Sequence, residues 1–418
     1  MVAIAQCRRF PKSDQDHRKK CQMTTSSRRG RILVQLGAMA AVGAFALTAC
    51  SPGSADPTET AAEDFDEVQL SVTLGDSATT TIGSSMVAWQ EAVTEATGGK
   101  VTFENFFSGS LVPSAEGLEA VGSGLADIAE LPAVYVPQQL PTTVWLDSVT
   151  SALVSPQWPA DFLEGQAGIA ALDSSPQVVA DAEAAGVHWL GTLWTPGFSL
   201  LCVPEVTDLA SAAGKRVRAG GTVISQELEA LGMVTVTVPI GEAYDALQRG
   251  VVDCIALSLP SLLELGFTDV AKNLVTLSMT GTARTVFMNK DKWDGLSEAT
   301  QSALTEASLA FRKAYYSKQI DYTAELMAPG GEFEQAGVVT HEAPELSEVI
   351  EDQKAKRIAS AVASAEGITD PEDLFKQLQA AVEDFREAAG EIPLGYDVTS
   401  SDVADQIADL ANRTKFPN

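Results

Sequence analysis

Val68-Gln69-Leu70-Ser71-Val72-Thr73-Leu74 alternates apolar with polar side chains along its whole length. That is the period-two pattern of a strand with one buried face. A polar loop follows, Gly75-Asp76-Ser77 through Thr79-Thr80-Thr81. Met86, Trp89, Val93 and Ala96 then recur at helical spacing until Gly98-Gly99 stops the run. Val101-Thr102-Phe103 opens the next strand. Strand, helix, strand is the α/β rhythm.

The rhythm returns downstream. Leu118 and Val121 mark a short helix, and Leu125 to Ala129 a strand entry. Val187 to Leu193, Ser199 to Val203, Val234 to Val238 and Val251 to Leu257 read as strands, with a helix from Glu242 to Arg249. A helical stretch from Ser297 to about Leu326 would span roughly 45 Å, enough to lie across two small domains. Gly330-Gly331 ends it, and two more helical patterns, about 345–365 and 371–389, fill the tail. No fixed-period repeat is evident.

Composition narrows the function. The chain has 418 residues, 45% of them hydrophobic, and 15 Phe, 6 Trp and 6 Tyr suffice for packed cores. Acidic residues outnumber basic ones 56 to 28, a net charge of −28. Such a field repels phosphate backbones, so no nucleic-acid partner is expected. His17, His188 and His341 are the only histidines, too few for a histidine-rich metal site. Neither a G-x-S-x-G elbow nor a P-loop occurs, and no dinucleotide fingerprint follows a strand. The expectation is a protein that is not an enzyme and takes no metal or cofactor.

The first 49 residues carry nine Lys/Arg against two Asp/Glu. Arg28, Arg29 and Arg31 precede an apolar run of 16 residues, Ile32 to Leu47. A spanning helix needs about 20, so a secretory signal core fits better than a membrane anchor. Residues 1–49 are read as the signal region, with Met23 an alternative start. Leu47-Thr48-Ala49-Cys50 resembles the bacterial lipobox, which makes Cys50 the lipidated N-terminus of an extracytoplasmic chain anchored to the cell membrane. Residues 50–66 form the lipidated cysteine and a flexible tether. Cys202 and Cys254 are then the remaining thiols of the exported chain. They are expected to pair, because nothing outside the cell keeps them reduced. Two buried free thiols are the alternative.

Four stretches carry a family resemblance. They are Phe107-Ser108-Gly109-Ser110-Leu111 with Glu119, Gly124 and Asp127-Ile128; Gly214-Lys215-Arg216-Val217-Arg218 with Ala230-Leu231-Gly232; Glu242-Ala243-Tyr244-Asp245-Ala246-Leu247-Gln248-Arg249-Gly250-Val251-Val252-Asp253; and Val286-Phe287-Met288-Asn289 with Trp293 and Leu296. In this order, over about residues 68–330, they resemble the solute-binding proteins of TRAP (tripartite ATP-independent periplasmic) transporters, the C4-dicarboxylate-binding type. The resemblance implies a two-lobe α/β periplasmic-binding-protein fold with mixed sheets and a long helix bridging both lobes. The lobes are expected at 67–195 plus about 282–325, and at 196–281 plus about 326–418.

The resemblance also implies an arginine that clamps the ligand's carboxylate, at Arg218. A guanidinium offers the planar fork of donors that a carboxylate accepts bidentately. Arg216 would share its face on a strand, and for either the plain alternative is a surface salt bridge. Further ligand-binding candidates are Trp194, as a stacking ring where the chain crosses between lobes; Glu130; Asp76 and Ser77 at the end of the first strand; Phe198; Gly221; Tyr244; Ser258; and Arg284, as a second cation. Trp194 could equally be core, and Tyr244 packing.

Two departures from the family pattern matter. A second arginine, in a "G-F-R" segment, is replaced in Gly197-Phe198-Ser199, and "V-D-G-x-E-N" becomes Val252-Asp253-Cys254-Ile255-Ala256-Leu257. The joint change fits a Cys202–Cys254 bridge between neighbouring strands. It also suggests one carboxylate clamp in a more apolar surround. The expected function is capture of a small organic acid and its delivery to the small and large membrane subunits of a TRAP permease. A receptor for an ABC importer or a sensor is the alternative.

Overall fold

A computed structural model describes residues 65–173 and 175–413; Cys50 and the signal region lie outside them. Among the described residues eleven strands form two sheets. The first has the order β2-β1-β3-β10-β4, from β1 (Val68–Leu74), β2 (Val101–Phe106), β3 (Ile128–Pro132), β4 (Val187–Trp194) and β10 (Ala283–Asn289). The second has the order β11-β9-β5-β8-β6-β7, from β5 (Ser199–Cys202), β6 (Arg216–Arg218), β7 (Val234–Val236), β8 (Cys254–Leu257), β9 (Asn273–Val275) and β11 (Val339–His341). Both are mixed: β1 runs parallel to β2 and β3 while β10 is antiparallel to β3 and β4. In the second, β6 is parallel to β7 and β8 while β5 is antiparallel to β8 and β9.

Each sheet has its own core. Leu70, Val72, Ile128 and Phe287 sit in the first, Leu201, Val217, Ile255 and Leu274 in the second. The chain passes between the sheets at Thr195–Phe198 and returns at Thr276–Thr282. These two crossings bond to each other. Thr195 N donates to the Thr282 carbonyl at 2.9 Å, and Thr282 N to the Thr195 hydroxyl at 2.8 Å.

The helix Glu298–Met327 is the long element the sequence promised. Ser297 caps it by accepting from Thr300 N. Leu304, Tyr315 and Ile320 enter the first core and Leu326 the second, so one rigid rod braces both. The Tyr315 hydroxyl donates to the Trp194 carbonyl at the first crossing.

Cys202 and Cys254 face each other in the β5–β8 register, with Cα atoms 4.1 Å apart, and are bonded. A bridge closing a separation of 52 residues restricts the unfolded chain by roughly 4 kcal/mol in the chain-entropy treatment.

The tail corrects the expected partition. The expectation places residues from about 326 to 418 in the second lobe, but only their first part packs there, through Phe333, Leu346 and Ile350. Ala361, Leu374, Leu378, Phe385, Ile407 and Leu410 join the first core. The cause is the apolar stripe of the helix Pro371–Ala389. It packs on the helix Ala160–Leu172, where Gly168 leaves space for Leu378 and Val382.

Candidate functional site

Strand ends converge between the two sheets. Asp76 follows β1, Val134 and Tyr135 lie just past β3, Arg218 closes β6, and Ser258 follows β8. The carboxyl ends of parallel strands are where α/β sheets open onto ligands. Here they line a cleft of about 130 Å³. Asp76, Tyr135 and Arg284 come from the first sheet's side, and Phe198, Arg218 and Ser258 from the second.

Arg218 is the unusual group. It is only 2% exposed. Its Nε donates to the Val238 carbonyl at 3.0 Å and its Nη2 to the Tyr135 hydroxyl at 3.4 Å, across the cleft. Among the described residues no carboxylate pairs with it. A Cβ at Gly220 would lie 3.1 Å from its Nη1, so glycine there leaves the fork room. Burying a cation without a counter-ion costs several kcal/mol, which an arriving anion offsets. Arg216 behaves differently. It is held bidentately by Asp253, at 3.0 and 2.7 Å, with 43% of its side chain exposed.

Arg284 also lines the cleft, with its charge already engaged. It forks onto Glu130 at 2.6 and 2.7 Å and also bonds Asp76. Burial opposes its charge, but Asp76 and Glu130 overcome this and hold the guanidinium well above its ordinary range. Glu130 is completely buried. Burial lifts its carboxyl upward, while Arg284 pulls back. It is thus the counter-ion beneath Arg284 and does not line the cleft. Asp76 lines it, with its Oδ2 on Arg284 and its Oδ1 accepting no hydrogen bond among the described residues.

The remaining candidates separate. Phe198 and Ser258 line the cleft, and the Ser258 hydroxyl lies 2.9 Å from that of Ser261. Gly221 begins the helix Thr222–Ala230, and a Cβ on it would press on Val134 at 3.3 Å. Its smallness therefore lets the lobes approach. Trp194 is at the crossing, as expected, but its indole turns into the core. Gly165 and Gly281 make room for it there: a Cβ at Gly165 would fall 2.3 Å from its Nε1. Ser77 forms the turn before the first helix, its carbonyl accepting from Thr80. Tyr244 packs toward Gly266 in the second lobe. Neither Ser77 nor Tyr244 reaches the cleft.

Sequence reasoning missed Tyr135, Val134 and Ser261. Tyr135 was findable as a polar-tipped ring just beyond the strand that carries Glu130. It also missed Glu264, which accepts from the Thr81 N–H at 2.8 Å and hydroxyl at 2.6 Å, joining the lobes beside the cleft.

With this geometry in place, comparison with known proteins gives a coherent result. The family model described as bacterial extracellular solute-binding protein, family 7, matches residues 73–357. The C4-dicarboxylate-binding periplasmic protein DctP of Rhodobacter capsulatus is 24% identical over 201 residues, 46% of this chain and 60% of that protein. The match thus spans less than two thirds of that relative. A marine metagenome TRAP solute-binding protein, crystallised with co-purified pyroglutamate, superimposes with a TM-score of 0.65 at 22% identity, over 77% of this chain and all of that one. DctP7 of Bordetella pertussis, a receptor for pyroglutamic acid, gives 0.64 at 18% identity, over 76% and 99%. At these identities the likeness establishes the fold.

Proposed function

We propose that this chain, which belongs to the bacterial extracellular solute-binding proteins of family 7, captures a small carboxylate between its lobes and hands it to a TRAP-type permease. One observation carries the reading: Arg218 is buried against the cleft with no carboxylate among the described residues to balance it. In a chain of net charge −28, a lone buried cation is a specific invitation to an anion.

The remaining lining supports the ligand's general character. Phe198, Ile224, Ile240, Leu257 and Leu265 give the cleft an apolar wall. This suits an organic acid with a carbon body better than a heavily hydroxylated sugar. Binding is coupled to closure: the carboxylate meets Arg218 from one lobe while its body touches the other. A ligand shifts the lobes only by its preference for the closed form. Arg218 therefore contributes mainly to closing.

Release to the small and large membrane subunits, with Cys50 holding the protein to the membrane by its lipid, completes the proposed cycle. No chemical step belongs to it. The family argues against a receptor for an ABC importer. Mass spectrometry of the solute that co-purifies, followed by a thermal-shift screen of organic acids, tests the reading. Stabilisation by neutral sugars alone would refute it.

A further inference from the structure

Charge in the cleft is unequally balanced. Three of the described residues lining it carry charge: Arg218, Asp76 and Arg284. Arg218 is an unbalanced cation, whereas Arg284 serves two carboxylates, Glu130 and Asp76. Two carboxylates thus share one guanidinium, leaving one negative charge in excess. That excess reaches the ligand through Asp76, which is 19% exposed and has Oδ1 unengaged among the described residues.

We propose that Asp76, oriented by Arg284 and Glu130, is a specificity-determining residue that receives an ammonium group, so that the preferred solute is a zwitterion of amino-acid type. The proposal rests on Arg218 holding the carboxylate, as argued above. A zwitterion sets its carboxylate on Arg218 and its ammonium on Asp76 and leaves the cleft's net charge unchanged. A dicarboxylate brings its second anion against Asp76, where like charges repel. Arg284, whose Nε and Nη2 already serve Glu130 and Asp76, is balanced before a ligand arrives. Such rejection by an unmatched charge is a common source of specificity.

The test is calorimetric titration of the full-length chain with matched probes: glutarate, 5-aminopentanoate, succinate, 4-aminobutanoate and the twenty α-amino acids. The best zwitterion is expected to bind at least tenfold more tightly than the best dicarboxylate. Asp76→Asn is expected to shrink that ratio below threefold. A dicarboxylate that binds as well as any zwitterion overturns the proposal, with no variant required. So does a ratio that Asp76→Asn leaves intact. The carboxylate clamp fails separately: whichever probe binds best, Arg218→Ala would then leave its affinity unchanged.

Discussion

Arg218 and Tyr135 meet across the cleft, a guanidinium nitrogen from one lobe lying 3.4 Å from a phenol oxygen of the other. The contact is long for a hydrogen bond and bridges elements 83 residues apart in sequence. It orients a buried guanidinium that, among the described residues, no acidic side chain holds. Its other anchor, the Val238 carbonyl, comes from Arg218's own lobe.

Removing the phenol oxygen should loosen that fork without emptying the cleft. Tyr135→Phe is expected to weaken carboxylate binding about three- to tenfold, the value of one modest hydrogen bond of roughly 1 kcal/mol. Titration calorimetry reads the affinity, and the melting temperature of the unliganded protein should change little.

Glu264 joins the lobes from the opposite direction. It accepts two bonds from Thr81 at the start of the helix Thr81–Ala96, where a carboxylate is also favoured by the helix dipole. Glu264→Ala strands both Thr81 donors, at a cost of about 1–3 kcal/mol to the closed form. Ligand affinity should fall several-fold, and small-angle scattering of the unliganded protein should show a larger radius of gyration.

Asp161 gives the fold a pH dependence. It lies in a small cavity at the crossings, accepting from the Gly197 N–H, with its Oδ1 unpartnered. Lys354 and Glu164 are the charged neighbours that act on it. Lys354 is itself paired with Glu351, and Tyr396 completes the cavity wall. Burial outweighs Lys354 and raises the Asp161 carboxyl to about 7. A raised carboxyl binds its proton more tightly when folded. Stability is therefore highest at low pH and falls as pH rises from the unfolded value through about 7. Between pH 5 and 8 the loss should be roughly 2–3 kcal/mol. Urea denaturation across this range measures it, and Asp161→Asn should flatten the curve.

Legibility in the sequence followed burial. β1, the helix after it and the helix Ile240–Gln248 were readable because each shows an apolar pattern of one period, and the long helix because Ser297 and Gly330-Gly331 bound a run rich in helix formers. The helix Ala160–Leu172 was not. It is buried on nearly every side, so no stripe marks it. At the site, Arg218 was legible through its motif, and Asp76 and Ser258 through their positions at strand ends. Trp194 misled because the crossing was placed correctly, while the turn of its ring depends on Gly165 and Gly281, far apart in the chain. Arg284 lines the cleft as a second cation, but its pairing with Glu130, 154 residues away, was not legible.

The most direct measurement is the affinity of Arg218→Ala for the solute that co-purifies with the wild-type chain, with circular dichroism confirming an intact fold. A loss of at least 100-fold is expected, since the substitution removes a buried bidentate anchor. A loss below threefold would mean that the carboxylate is held elsewhere, and recognition by a single buried guanidinium would be wrong.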